Sequence, residues 1–168
     1  MDLAFTVIRV ILGLAIAAHG AQKLFGWFGG YGLAGTGGFF EQIGFRPGKL
    51  FAAAAGLGEF GGGVLTILGL GGPIGPALIV TVMVVAILTV HLKNGFFITN
   101  QGWELNLLYI LSAAAVAYAG NGTYSLDGSF GWSIFSTPLQ VSIVLLAGTV
   151  LGALNLAARR PAATQTPE

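Results

Sequence analysis

Glu59 stands inside an apolar, glycine-rich stretch, AGLGEFGGGVLTILGL from Ala55 to Leu70. A carboxylate in the middle of a membrane helix costs roughly 2.5–3.5 kcal/mol on insertion scales, so it requires a compensating partner or a chemical task. The first apolar stretch supplies three candidates: Arg9, His19 and Lys23. Arginine stays charged and pairs bidentately with carboxylates, which makes Arg9–Glu59 the preferred structural ion pair; His19 and Lys23 are the alternative neutralising group, or a separate cluster nearer the cytoplasm. As chemistry, Glu59 can handle a proton, and an imidazole such as that of His19 can donate or accept one, so these two are the expected catalytic residues. The structural alternative is that Glu59 only fixes helix packing.

The spacing around Glu59 favours an inward position. On a helical wheel its face reads Ala52, Ala55, Gly56, Glu59, Gly62, Gly63 and Thr66, nearly all small, which lets another helix approach closely and keeps the carboxylate away from lipid. Further polar residues gather where TVHLKNGFF (Thr89–Phe97) ends one apolar stretch and GWELNLLYI (Gly102–Ile110) begins the next. Lys23, His91, Lys93 and Glu104 are therefore expected at one depth as ligand-binding residues, with Gln101 and Asn106 nearby. Helix-end electrostatics gives Lys93 and Glu104 a purely structural reading as well, a cation at a helix C-terminus and an anion at an N-terminus. The two histidines and two glutamates match no short metal-ligand spacing, and no metal site is expected.

The elements that must position these residues are membrane helices. The chain of 168 residues is 55% hydrophobic and only 8% charged, far below the roughly 25% charged residues of soluble domains. Five apolar stretches are predicted to span: Leu3–Phe25, Leu50–Leu70, Pro73–Leu92, Glu104–Ala119 and Pro138–Ala158. Each reaches, or nearly reaches, the roughly 20 residues needed to cross about 30 Å of hydrocarbon. The fold class is thus all-α integral membrane. The Gly- and aromatic-rich segment 26–49 reads as a long loop, interfacial or re-entrant, with Trp27, Phe28 and Tyr31 suited to the headgroup layer. Arg9 and the acidic second residue argue against a cleaved signal peptide, so the first stretch is expected to remain as a span. The absence of cysteine excludes disulfides, thiolate metal sites, iron–sulfur clusters and thiol exchange by this chain. A net charge of +1 without a basic run excludes a nucleic-acid partner. With five spans, Lys23, Arg46, Lys49, Lys93, Arg159 and Arg160 fall on one side, which the positive-inside rule makes cytoplasmic; the N-terminus is then outside and the C-terminus inside.

In combination and order, these motifs resemble the DoxX family of small bacterial membrane proteins. The resemblance runs through RVILGLAIAAHGAQKLFGWFGG from Arg9, GFFEQIGFRPG from Gly38, AGLGEFGGGVLTILGL, TVHLKNGFF, GWELNLLYI and GNGTYSLDG from Gly120. It implies a four-helix membrane core over residues 1–128 with a long first loop (26–49). An additional loop and a fifth C-terminal transmembrane helix (129–158) follow, then a disordered cytoplasmic tail (159–168). The family's recurring polar positions map onto Arg9, Lys23, Glu59 and Glu104; an arginine common before the YSLD segment is Thr123 here. Family members are tied to redox work in the bacterial inner (plasma) membrane. The resemblance therefore implies a membrane subunit of a redox system, with no covalently bound cofactor. Quinone, or a quinone-like lipid, is the expected ligand of an inner-leaflet polar site beside Glu59, with His19 or His91 donating to a ring carbonyl and Glu59 or Glu104 handling the proton. Such a subunit needs a redox partner to be a quinone-linked oxidoreductase. The alternatives are a non-catalytic scaffold or assembly protein recruiting redox enzymes, and a small-solute or proton pathway. The bilayer, a soluble or membrane redox partner and a second copy of the chain are the expected partners.

Overall fold

The computed structural model describes residues 2–160, and they form an all-α membrane protein. Helix α1 (Asp2–Phe25) is followed by α2 (Gly32–Gln42), α3 (Gly48–Leu68) and α4 (Ile74–Ala86); α5 (Glu104–Ala119), the short α6 (Leu126–Phe130) and α7 (Pro138–Asn155) complete the order. Four segments are long and apolar enough to cross a membrane: Leu3–Phe25, Gly48–Leu68, Ile74–Asn94 and Pro138–Ala158. Helix α5 is shorter, with 16 residues, or about 24 Å of rise, a mismatch that local thinning can absorb.

Glycine sets the α1–α3 contact. The two helices run antiparallel, and a Cβ added at Gly63 would lie 2.6 Å from the carbonyl oxygen of Gly13 and 2.6 Å from the backbone nitrogen of Ala17. Gly20 is pressed equally close to the backbone of Gly56 and Phe60. Such backbone approach replaces the hydrophobic driving force that helices lack inside lipid. Helix α4 packs on α3, α5 and α7. Its buried Ile79, Val80 and Met83 meet Leu12 and Ile16 of α1 and Ala113 and Val116 of α5 in the main core. The α7 contact also rests on glycine: Gly148 and Gly152 are buried against α4, and the Thr81 hydroxyl bonds the Gly148 carbonyl at 3.0 Å. Helix α7 starts cleanly because Thr137 and Gln140 form a reciprocal capping box with Pro138 in the first turn.

The fold revises three expectations. Segment 26–49 is not simply a loop: Gly32–Gln42 is helical and packs along α3, with Phe40 stacked on a second core of Phe45 and Ala52. The third span does not stay α-helical, because Ile87–His91 widens into a π turn before a 3-10 turn at Leu92–Asn94. The expected disordered tail does not begin at residue 159. Phe45 and Arg159 form an isolated antiparallel bridge, and the Arg160 amide donates to the Gly44 carbonyl at 2.7 Å. Residues 161–168 of that tail lie outside the described residues.

Candidate functional site

The carboxylate at the centre of α3 is paired with Lys23. Lys23 Nζ donates to Glu59 Oε2 at 2.5 Å, the Glu59 side chain being 4% exposed and that of Lys23 28%. The expected Arg9–Glu59 pair is therefore corrected, and the α1–α3 register gives the reason. Gly13 lies against Gly63 and Ile67, and Gly20 against Gly56 and Phe60, which levels Arg9 with the end of α3 and Lys23 with its middle. The 14 positions from Arg9 to Lys23 amount to about 21 Å of helix, beyond any side chain's reach to a shared partner.

Arg9 does something else. It is 1% exposed, and its guanidinium donates to the carbonyls of Thr66 (2.6 Å), Ile67 (2.7 Å) and Tyr124 (2.7 Å). The first two are carbonyls of the last turn of α3, which ends in a Schellman turn at Gly69 (φ 60°), with Leu70 N bonded to Leu65 O and Gly69 N to Thr66 O. A cation there satisfies carbonyls left over at the helix end and opposes the negative pole of the helix dipole. Beside it, buried Asp127 accepts from the amides of Gly71 (3.0 Å) and Gly72 (2.7 Å) and from Asn121 Nδ2 (2.6 Å), tying the 120–128 loop to the α3–α4 turn. This end of the bundle is a structural clasp.

The opposite end holds a cavity of about 700 Å³, within the size range of small-molecule sites. Its walls are mostly apolar, from Phe39 and Phe40 of α2 through Phe45 to the inward faces of α3 and α4. Its polar lining includes His19, Lys23, Glu59, His91, Asn106 and Tyr109. His19 sits one turn before Lys23 on α1, and its ring meets Tyr109 of α5 edge-on with centroids 6.1 Å apart. Asn106, three residues before Tyr109 on the same face of α5, is buried with Nδ2 3.4 Å from Met83 Sδ. The π turn brings buried Thr89 to this cavity, its hydroxyl bonded back to Val85 O at 2.7 Å. Such turns interrupt helices often at functional sites. Asn155, near the end of α7, completes one wall.

Of the predicted site residues, Glu59, His19, Lys23 and His91 thus share one cavity. Lys93 and Glu104 do not line it. Lys93 is exposed in the 3-10 turn after the π segment. The Glu104 carboxylate accepts from the Ile98 amide at 2.9 Å, closing the loop before α5. His91 lies at the cavity's polar edge, with Nδ1 2.7 Å from the Gln101 carbonyl. Among the described residues no three His, Cys, Asp or Glu side chains converge as a metal site would require. Sequence reasoning missed Tyr109, although its i+3 spacing from Asn106 marks a common face. It also missed Asp127 as a buried carboxylate; the signal was its place after glycine and asparagine in GNGTYSLDG.

The geometry can be set beside known proteins. The family model described as DoxX matches residues 4–92, 89 of 168 positions, covering α1 through the π turn and so both partners of the Lys23–Glu59 pair. A Bacillus subtilis (strain 168) protein described as "Putative oxidoreductase CatD" is 31% identical over 126 residues, which is 75% of this chain and 86% of that protein. No solved structure matches the chain significantly. With just over half the chain under one family model and three quarters of it aligned to a relative, this multi-pass membrane protein belongs to the DoxX family.

Proposed function

We propose that the chain is the membrane subunit of a redox system and that its cavity binds a quinone, or a quinone-like lipid, with the ring beside Glu59. The observation that carries this reading is a mostly apolar cavity of about 700 Å³ whose polar lining includes the Lys23–Glu59 pair and His19. A lipid-soluble ring with oxygen substituents needs apolar enclosure for its body and a few placed donors for its oxygens. The description of the Bacillus subtilis relative as an oxidoreductase supports the redox setting. When bound, a quinone supplies a reversible two-electron, two-proton carrier; the chain's part is to bind it, exclude water and offer proton-bearing groups. His19 is the donor to a carbonyl oxygen of the quinone, and Glu59, held by Lys23, accepts from the hydroxyl of the reduced ring on the same side. Electron delivery falls to a partner subunit.

In this reading the protein lies in the bacterial inner membrane with its N-terminus outside. The exposed cations Arg46, Lys49, Lys93, Arg159 and Arg160 then mark the cytoplasmic side. Reporter fusions at both termini test that orientation; an external C-terminal reporter refutes it. The ligand reading is tested by reconstituting purified protein in lipid nanodiscs and titrating decylubiquinone. Binding should be lost in His19→Ala and Glu59→Gln while circular dichroism stays unchanged. Wild-type affinity in both variants would remove the cavity as the quinone site.

A further inference from the structure

Tyr109 is out of place on α5 unless something meets its hydroxyl. Its neighbours Leu105, Leu107, Leu108, Ile110 and Leu111 are apolar. The residue faces the cavity rather than a polar loop, and among the described residues its hydroxyl has no hydrogen-bond partner; its contact is the edge-on His19 ring. The residue is half-buried, so its unpartnered hydroxyl is open to the cavity, where a bound molecule can meet it. His19 is in the same situation: it lines the cavity, packs on Tyr109 and has no hydrogen bond of its own among the described residues. By contrast Lys23 and Glu59 are already committed to each other.

We infer that Tyr109 is a ligand-positioning residue: its hydroxyl, beside His19, receives a ring oxygen of the bound molecule and makes the cavity select an oxygen-bearing ring over a hydrocarbon of the same shape. The inference rests on the quinone reading and deepens it by assigning the discrimination to α5. A tyrosine hydroxyl and a neutral imidazole each carry one donor and one acceptor, so this corner serves a carbonyl oxygen and a hydroxyl equally. Selectivity follows from the asymmetry of unmet hydrogen bonds. An oxygen-bearing ring satisfies Tyr109 and His19, whereas a hydrocarbon ring leaves both dry.

The test compares two probes, decylubiquinone and decylbenzene, on wild-type protein and on Tyr109→Phe in lipid nanodiscs. Phenylalanine keeps the ring and the His19 contact and removes only an oxygen with no protein partner, so the thermal midpoint should not fall. Loss of one neutral hydrogen bond corresponds to roughly a 2- to 12-fold weaker affinity. Tyr109→Phe should therefore weaken decylubiquinone by that factor and leave decylbenzene unchanged. Equal weakening of both probes, or of neither, overturns the inference while leaving the quinone site standing. Wild-type protein that fails to prefer decylubiquinone over decylbenzene overturns the quinone reading itself, and the inference with it, before any variant is made.

Discussion

Removing Lys23 should damage the bundle far more than removing Glu59, although the two form one ion pair. The burial asymmetry decides this. Lys23→Met strands the Glu59 carboxylate, 4% exposed, in the centre of α3. Insertion scales put an uncompensated carboxylate there at roughly 2.5–3.5 kcal/mol, and breaking buried pairs from one side costs about 3–5 kcal/mol. Glu59→Gln instead leaves a lysine whose side chain is 28% exposed near the end of α1. That ammonium can swing toward the interface on its four-carbon stem, so about 1 kcal/mol is expected. Combining the two, Lys23→Met with Glu59→Gln, removes the stranded charge and should return stability to within about 1 kcal/mol of the Glu59→Gln variant. Unfolding by denaturant in mixed micelles, analysed as a double-mutant cycle, reads all four species. Equal small losses in both single variants would refute the reasoning, as would a double variant worse than Lys23→Met.

Three further outcomes follow from the other contacts. Arg9→Met removes three charge-assisted bonds to carbonyls and should cost at least 3 kcal/mol; combined with Glu59→Gln, its effect should add within about 0.5 kcal/mol, since the two sites share no partner. A strongly non-additive double variant in the same unfolding assay would restore the Arg9–Glu59 pairing. Asp127→Ala leaves the Gly71 and Gly72 amides without their acceptor and should cost about 2–3 kcal/mol, with faster hydrogen exchange confined to the α3–α4 turn; unchanged exchange there contradicts the clasp. Gly148→Ala places a methyl 2.8 Å from the Ala77 carbonyl and should cost about 1–3 kcal/mol. Gly61→Ala meets nothing within 4 Å and should be neutral or slightly stabilising. Equal thermal midpoints for those two alanine variants would mean α7 is not seated through Gly148.

Local pattern and long-range register contributed differently to what could be read in advance. The inward face of α3 is legible because it repeats at the helical period: Ala52, Gly56, Glu59, Gly62, Gly63 and Thr66 are all buried. The partner of Glu59 is not legible, because it depends on how α1 slides along α3, and two glycines on α1 and six on α3 admit more than one register. Helix α2 is hidden for an energetic reason. Four of its eleven residues are glycine, each costing about 1 kcal/mol in a helix, and it is tertiary packing, Phe40 on Phe45 and Ala52 with Thr36 and Gly37 buried, that offsets this. The π turn is equally hidden, since widening of the hydrogen-bond ladder at Ile87–His91 leaves no mark on hydropathy. His19 and Lys23, one turn apart, were readable as neighbours; Tyr109, from another helix, becomes their neighbour only through packing.

The bridge between Phe45 and Arg159 bears on biogenesis. Its two halves are separated by 114 positions, and at about 5–20 residues per second the ribosome needs roughly 6–23 s to make the second after the first. Asn155, which completes one cavity wall, arrives just as late. The nascent chain therefore carries Lys23 and Glu59 beside an unfinished wall until Asn155 and the Phe45–Arg159 bridge are in place. A stall before residue 155 would leave the Lys23–Glu59 pair facing a cavity that lacks its α7 residue, Asn155.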